Sequence, residues 1–142
     1  MEEYKQLKLE SQLCFPLYAC AKETVRKYKP FLDKIDLTYT QYITMLVLWE
    51  TKNINVKELG ERLYLDSGTL TPLLKKLEIK GYINRNRDKQ DERNLIISIT
   101  EKGMKLREEA KDIPYELAKF VCLDKDECYQ LYKLLYKLIS GK

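Results

Sequence analysis

Residues 55–100 read NVKELGERLYLDSGTLTPLLKKLEIKGYINRNRDKQDERNLIISIT, and the change of period inside this stretch decides the fold. Asn55 and Glu58 have the spacing of a capping box, which opens a short helix with Val56, Leu59 and Leu63 turned inward. Asp66-Ser67-Gly68-Thr69 is a cluster of turn and N-cap residues. After it, Leu70, Leu73, Leu74 and Leu77 repeat at helical spacing, with Pro72 in the first turn, and the helix runs to Lys80. Gly81 ends it. The period then drops to two. Tyr82 to Arg87 and Asn94 to Thr100 predict two short strands, with Leu95, Ile97 and Ile99 alternating in the second. The connection Asp88 to Arg93 is polar and charged.

Outward from this stretch the chain is helical. Thr38 and Gln41 form another capping box, and the apolar run Tyr42 to Trp49 predicts a buried helix behind it. Residues 9–29 predict a helix with Leu9, Leu13, Leu17, Ala21 and Val25 spaced four apart, ending near Lys29-Pro30. Pro16 requires that the regular helix either start near Cys14 or bend there. Thr100 caps a polar helix to about Lys111, and Asp124-Lys-Asp-Glu127 opens a last helix with Leu131, Leu134, Leu135 and Leu138 on one face.

A short capped helix, a turn, a second helix and a basic hairpin make a winged helix-turn-helix. The expected class is mainly α with a small β-hairpin wing, in a single domain. Residues 37–100 form the winged helix-turn-helix, and residues 1–36 and 101–142 supply dimerisation helices. The end helices have apolar faces left over, which a second copy of the chain would bury.

Composition narrows the function. The chain has 142 residues, 34% of them charged and 44% hydrophobic, as in a soluble globular protein. No apolar run approaches the ~20 residues that span a bilayer, and the charged N-terminus MEEYKQLKLESQ has no signal-peptide core. A cytoplasmic protein without membrane contact is expected. There is no histidine, which removes the commonest general base and zinc nitrogen ligand. No phosphate-cradling glycine loop and no nucleophile elbow occurs, so neither a cofactor nor an enzyme is expected.

The net charge is +4, from 26 basic and 22 acidic residues, and Lys75 to Arg93 alone carries seven basic against four acidic side chains. Such a strip is either a phosphate-binding footprint, in which Arg85 and Arg87 take part, or a solvated hairpin. On the helix from Ser67 the face opposite the leucines offers Ser67, Thr69, Thr71, Lys75 and Lys76. These suit base edges and phosphates of double-stranded DNA, with Ser67 and Thr69 as plain caps the alternative. At the hairpin tip Asp91 and Arg93 are two apart and in an extended segment point the same way, so the carboxylate would aim the guanidinium into a minor groove. An exposed ion pair of little consequence is the competing reading.

The run Leu59 to Lys75, followed by Asp91-Glu92-Arg93 and Leu95 to Thr100, closely resembles the MarR family of transcriptional regulators. Gln12-Leu13-Cys14-Phe15, Tyr28-Lys29-Pro30 and Leu37 to Tyr42 are similar to its organic-hydroperoxide-resistance branch, the OhrR-like regulators. The resemblance spans about Leu9 to Pro114 and is weak beyond. It implies an obligate homodimeric repressor on a pseudopalindromic operator, released when a cysteine is oxidised by an organic hydroperoxide.

The chain has four cysteines. Cys14 lies beside a helix N-terminus if that helix starts near Pro16, and the dipole there favours a thiolate. The 11 tyrosines offer phenols that can donate to such a thiolate without a histidine. The resemblance implies that Cys14 is the peroxidatic cysteine, that Tyr28 and Tyr39 reach it from the partner subunit, and that Tyr18 belongs to the pocket. It also divides such regulators into those with a second, resolving cysteine near the C-terminus and those using a small thiol. Cys122 and Cys128 are the candidates for resolving, with a Cys14–Cys122 bridge between subunits expected. Three other readings compete. A metal sensor is disfavoured because the C-x5-C pairs lie about 120° apart around a helix. A thiol peroxidase would use the same Cys14 but needs recycling. A regulator of phenolic ligands would not depend on Cys14.

Overall fold

The computed structural model describes residues 4–142. Among the described residues seven α-helices run in chain order: α1 (Cys14–Asp33), α2 (Tyr39–Thr51), α3 (Val56–Leu63), α4 (Ser67–Ile79), α5 (Glu101–Ala110), α6 (Ile113–Ala118) and α7 (Lys125–Ser140). Three strands, β1 (Asn53–Asn55), β2 (Ile83–Arg87) and β3 (Leu95–Ile99), form one antiparallel sheet in the order β1-β3-β2. The chain divides into two units, one ending at Lys111 and one from Asp112 to Lys142.

In the first unit α2 is the central helix. Thr38 and Gln41 close the expected capping box, the Gln41 amide donating to Thr38 Oγ1 at 3.2 Å and Thr38 N donating to Gln41 Oε1 at 3.0 Å. Met45 and Leu48 are fully buried, together with Leu59 of α3 and with Leu70, Leu74 and Leu77 of α4. The predicted leucine stripe of α4 is therefore the core face, with Ile83 and Ile97 of the sheet packed into the same interior. In α3 only Leu59 is buried, while Val56 and Leu63 are half-buried. Asn55 caps α3 by accepting from Glu58 N at 2.7 Å, but Glu58 returns its carboxylate to the Asn55 side chain instead of its backbone.

Several elements depart from the sequence expectations. Residues 5–7 and 9–11 form two 3-10 turns, so the helix expected from Leu9 begins at Cys14. Pro16 is then its third residue, where the missing N–H has no helical acceptor to lose. At the other end α1 continues past Pro30 to Asp33. Pro30 withholds one hydrogen bond from the Arg26 carbonyl, but Leu32 in the following turn is buried, and that burial holds the last turn in place. Pro72 lies in the second turn of α4, not its first. The wing is three-stranded because Asn53–Asn55 pairs with Ile96–Ser98 of β3. The helix capped by Thr100 ends at Ala110, and α6 is an additional short helix.

In the second unit, α7 opens at Asp124 as expected, and Asp124 and Glu127 form a capping box there. Leu131, Leu134, Leu135 and Leu138 all face solvent in the single chain, as do Leu13, Leu17 and Val25 near or on α1.

The sheet and α5 meet at Gly103. Its carbonyl accepts from Trp49 Nε1 at 2.9 Å and its N–H donates to Thr100 Oγ1 at 3.0 Å. A Cβ added there would collide with the Tyr82 carbonyl oxygen and lie 2.7 Å from Ile99 Cγ1. Gly103→Ala is therefore expected to destabilise the fold by about 1–3 kcal/mol, the usual range for overpacking. Urea denaturation at fixed protein concentration measures it, and an unchanged midpoint would show that the backbone yields at no cost.

Candidate functional site

The N-terminal end of α4 is built to leave its polar face open. Asp66 is the N-cap, its Oδ1 accepting from Thr69 N at 2.9 Å. The capping is thus done by a carboxylate, and the Ser67, Thr69 and Thr71 side chains are exposed, along with Lys75 and Lys76 further along the same helix. Pro72 has no N–H to give the Gly68 carbonyl, so one bond of the regular helix ladder is missing there. Between α3, this helix end and the wing lies an open cleft of about 950 Å³, bordered by Lys57, Tyr64, Ser67, Arg87 and Arg93.

The wing tip is organised by two side-chain turns. Asp88 Oδ1 accepts from Gln90 N at 3.0 Å, and Asp91 Oδ1 accepts from Arg93 N at 3.1 Å. The Arg93 guanidinium then grips the same carboxylate through Nε at 3.0 Å and Nη2 at 3.2 Å. The Asp91–Arg93 pairing expected from the sequence is present, but a turn makes it, since Asn94 N also donates to the Asp91 carbonyl at 2.9 Å. The extended geometry expected there is absent. The Arg93 side chain remains 91% exposed although its orientation is fixed. Hydrogen bonds from the Arg93 side chain, and then from its backbone, hold the Asp91 carboxyl below its ordinary range, so the clamp stays charged.

The remaining cations of the strip divide. Arg87 and Lys89 are exposed. Lys80 turns inward, donating to Gln41 Oε1 at 3.2 Å and to the Asp36 carbonyl. Arg85 is held on Glu78 by three hydrogen bonds, two from the guanidinium and one from the backbone.

Cys14 is the first residue of α1 and is exposed, at the positive end of the helix dipole. Tyr18 follows one turn on, also exposed. Tyr28 and Tyr39 pack against each other in a tilted arrangement, with ring centroids 4.9 Å apart. Tyr42, expected in the buried helix but not among the site residues, completes the cluster at 5.6 Å from Tyr28 and 6.3 Å from Tyr39, with Trp49 at its edge. The signal for Tyr42 was its spacing three residues from Tyr39 on α2. Along α1, Cys14 and Tyr28 are separated by a rise of ~21 Å, so within one chain the thiol and the tyrosine pair do not meet. Cys122 is exposed in the segment between α6 and α7, and Cys128 is half-buried in the first turns of α7, its Sγ 3.8 Å from the Leu123 carbonyl. Among the described residues no group of three or more His, Cys, Asp or Glu side chains is placed to hold a metal ion, and no helix is long and apolar enough to cross a membrane.

Burial raises all three phenols of the cluster above their ordinary value, Tyr42 to about 12. The neutral phenol is the form the fold favours. Its stabilisation is whole below the unfolded value of 10.0 and is lost as pH rises toward 12. Alkaline titration followed by phenolate absorbance is expected to show a late step near pH 12 that Tyr42→Phe removes. Ionisation of every tyrosine near 10 in protein that is still folded would contradict this.

Comparison with known proteins now identifies the scaffold. The family model described as transcriptional regulator SarA/Rot matches residues 26–110. The chain is 47% identical over 138 residues to the organic hydroperoxide resistance transcriptional regulator of Bacillus subtilis, covering 97% of this chain and 94% of that one. It is 46% identical over 133 residues to the regulator SarZ of Staphylococcus haemolyticus, covering 94% and 90%. The solved structure of reduced AbfR bound to DNA superposes with a TM-score of 0.80 at 33% identity, covering 96% of this chain and 94% of that one. The chain belongs to the MarR-type winged-helix transcriptional regulators, in their SarA/Rot and organic-hydroperoxide-resistance branch.

Proposed function

We propose that this protein is a homodimeric, redox-sensing repressor that binds a pseudopalindromic operator and releases it when Cys14 is oxidised by an organic hydroperoxide. The observation that carries the DNA half is Arg93, a guanidinium aimed by its own Asp91 yet 91% exposed at the wing tip. A narrow A·T minor groove attracts such a group. The open N-terminal face of α4 would enter the major groove, with Ser67, Thr69 and Thr71 toward base edges and Lys75, Lys76 and Arg87 toward phosphates. Similarity to AbfR, solved bound to DNA, supports the same reading.

The exposed apolar faces of α1 and α7 support a second copy as their cover. In this arrangement residues 1–36 and 101–142 hold the dimer, and residues 37–100 read DNA. A dimer also resolves the separation along α1, because Tyr28 and Tyr39 of one subunit can approach Cys14 of the other. The chemistry follows from that placement. The Cys14 thiolate attacks the terminal peroxide oxygen, its lone pair becoming the S–O bond, and the O–O bond breaks with its electron pair leaving on the alkoxide. The alkoxide takes up a proton and leaves as the alcohol, and the cysteine is left as a sulfenic acid. Phenols that keep their protons are suited to donate to the thiolate and to the departing oxygen. The name of the Bacillus subtilis relative supports the oxidant class. A reducing cytoplasm, where free thiols persist, suits such a sensor.

A sulfenic acid condenses with any thiol that reaches it, expelling water and leaving a disulfide. Cys122, exposed between helices, is the better partner, because Cys128 would have to unwind the first turns of α7. A Cys14–Cys122 bridge between subunits would pull on the dimer helices and change the separation of the two α4 helices, which must match successive grooves ~34 Å apart.

Arg93→Ala is expected to weaken operator binding by about 1–3 kcal/mol in a folded dimer; undiminished affinity would remove the wing from recognition. Cys14→Ser is expected to bind the operator and ignore organic hydroperoxide. Release of DNA by that variant on oxidation would move the sensor to another cysteine. Non-reducing gels of treated protein should show a covalent dimer that Cys122→Ser abolishes. A dimer that survives in that variant and is lost in Cys128→Ser transfers the role to Cys128.

A further inference from the structure

Arg85 lies in the basic strip expected to meet DNA, but its geometry points elsewhere. In β2, residues 83, 85 and 87 share one face. Ile83 on that face is fully buried against the core, whereas Asn84 and Asn86 on the other face are exposed. Arg85 therefore points inward, toward α4, and its side chain is only 24% exposed. Glu78, in the last turn of α4, meets it there. Its Oε1 accepts from Arg85 Nε at 3.2 Å and from Nη2 at 3.0 Å, and its Oε2 accepts from the Arg85 backbone N–H at 3.1 Å. One carboxylate thus holds both the side chain and the backbone of a wing strand. Opposite Arg85 in the ladder stands Ile97, fully buried in β3, so the strand is fixed from both sides.

We infer that Glu78 is a positioning residue for operator binding, setting the wing against α4 through Arg85, and that Arg85 makes no phosphate contact in the complex. The inference rests on the DNA-binding reading above and deepens it. A reader that must place a helix in the major groove and a wing tip in the adjoining minor groove needs those two elements at a fixed angle. Glu78–Arg85 is a charged, three-point tie between them, close to the base of the wing. Hydrogen bonds and charge from Arg85 hold the Glu78 carboxyl below its ordinary range, so the tie stays ionised near neutral pH.

The two roles available to Arg85 differ in their salt dependence. A phosphate contact contributes ~0.9 to the slope of log affinity against log salt, whereas a strut contributes nothing to it. The experiment measures operator affinity as a function of salt for the wild-type dimer, Glu78→Gln, Arg85→Gln and the double variant, with Lys75→Ala as a reference for a phosphate contact. Hydroxyl-radical footprints of the same complexes are recorded, and thermal midpoints establish that each variant is folded. Each single variant is expected to lose about tenfold in affinity, with the double no worse than either. The slope should stay at the wild-type value, and minor-groove protection at the edges of the operator should fade while protection of the centres of the half-sites persists. A general loss of stability would weaken all protections together. Full affinity in Glu78→Gln, or a slope flattened in Arg85→Gln as in Lys75→Ala, overturns the inference and returns Arg85 to the DNA surface. Absence of operator binding by the wild-type protein would instead overturn the DNA reading itself, and this inference with it.

Discussion

The Gln41 side chain, 3% exposed, is the joint on which the first unit depends. Its amide oxygen accepts from Thr38 N, closing the start of α2, and from Lys80 Nζ, at the C-terminal end of α4. Lys80 also reaches the Asp36 carbonyl in the α1–α2 corner. A buried amide oxygen left without donors is costly, so these three segments hold together or rearrange together. Tyr39 is the first residue of α2, immediately after that cap, and Tyr28 packs on it. The tyrosine pair and the end of α4 are therefore neighbours of one polar joint, although the first is proposed for the thiol chemistry and the second for the operator.

The same economy appears at the two ends of α4. Its N-terminal end is capped by Asp66, which leaves the hydroxyls of Ser67 and Thr69 facing outward. Its C-terminal part carries Glu78 to the wing, and the Lys80 that follows it reaches α2. Between them the buried leucines fix the rotation of the helix about its own axis. Specific recognition requires such a pre-set helix, because each groove contact is worth only ~1–3 kcal/mol and a misplaced helix loses several at once. At the wing tip Asp91 likewise fixes a long arginine side chain in advance, which suits the DNA contact proposed for it.

Most of this was legible in the sequence where the signal was local. The leucine stripe of α4, the capping box at Thr38, the helix start at Asp124, the alternation in β3 and the Asp91–Arg93 spacing each lie within a few residues, and each appears in the structure. What was not legible depends on partners distant in the chain. Asn53-Ile54-Asn55 has a single apolar residue and becomes a strand only because β3 is there to pair with it. Pro30 looked like a stop, and burial of Leu32 overrides it. Arg85 read as one more cation in a basic strip until the facing of β2 turned it onto Glu78. Tyr42 joined Tyr28 and Tyr39 only when α1 packed on α2. The distance along α1 between Cys14 and Tyr28 likewise has meaning only once the helix is known to be continuous between them.

The central claim is that oxidation at Cys14 and release of the operator are the same event. Native mass spectrometry of the protein–operator complex, titrated with cumene hydroperoxide below one equivalent per subunit, tests it most directly. Peptide mapping of the DNA-bound and the released dimers then locates the added oxygen or disulfide. Released dimers should carry oxidised Cys14, and those still on DNA should carry the free thiol. Oxidised Cys14 distributed equally between bound and released protein would contradict the claim.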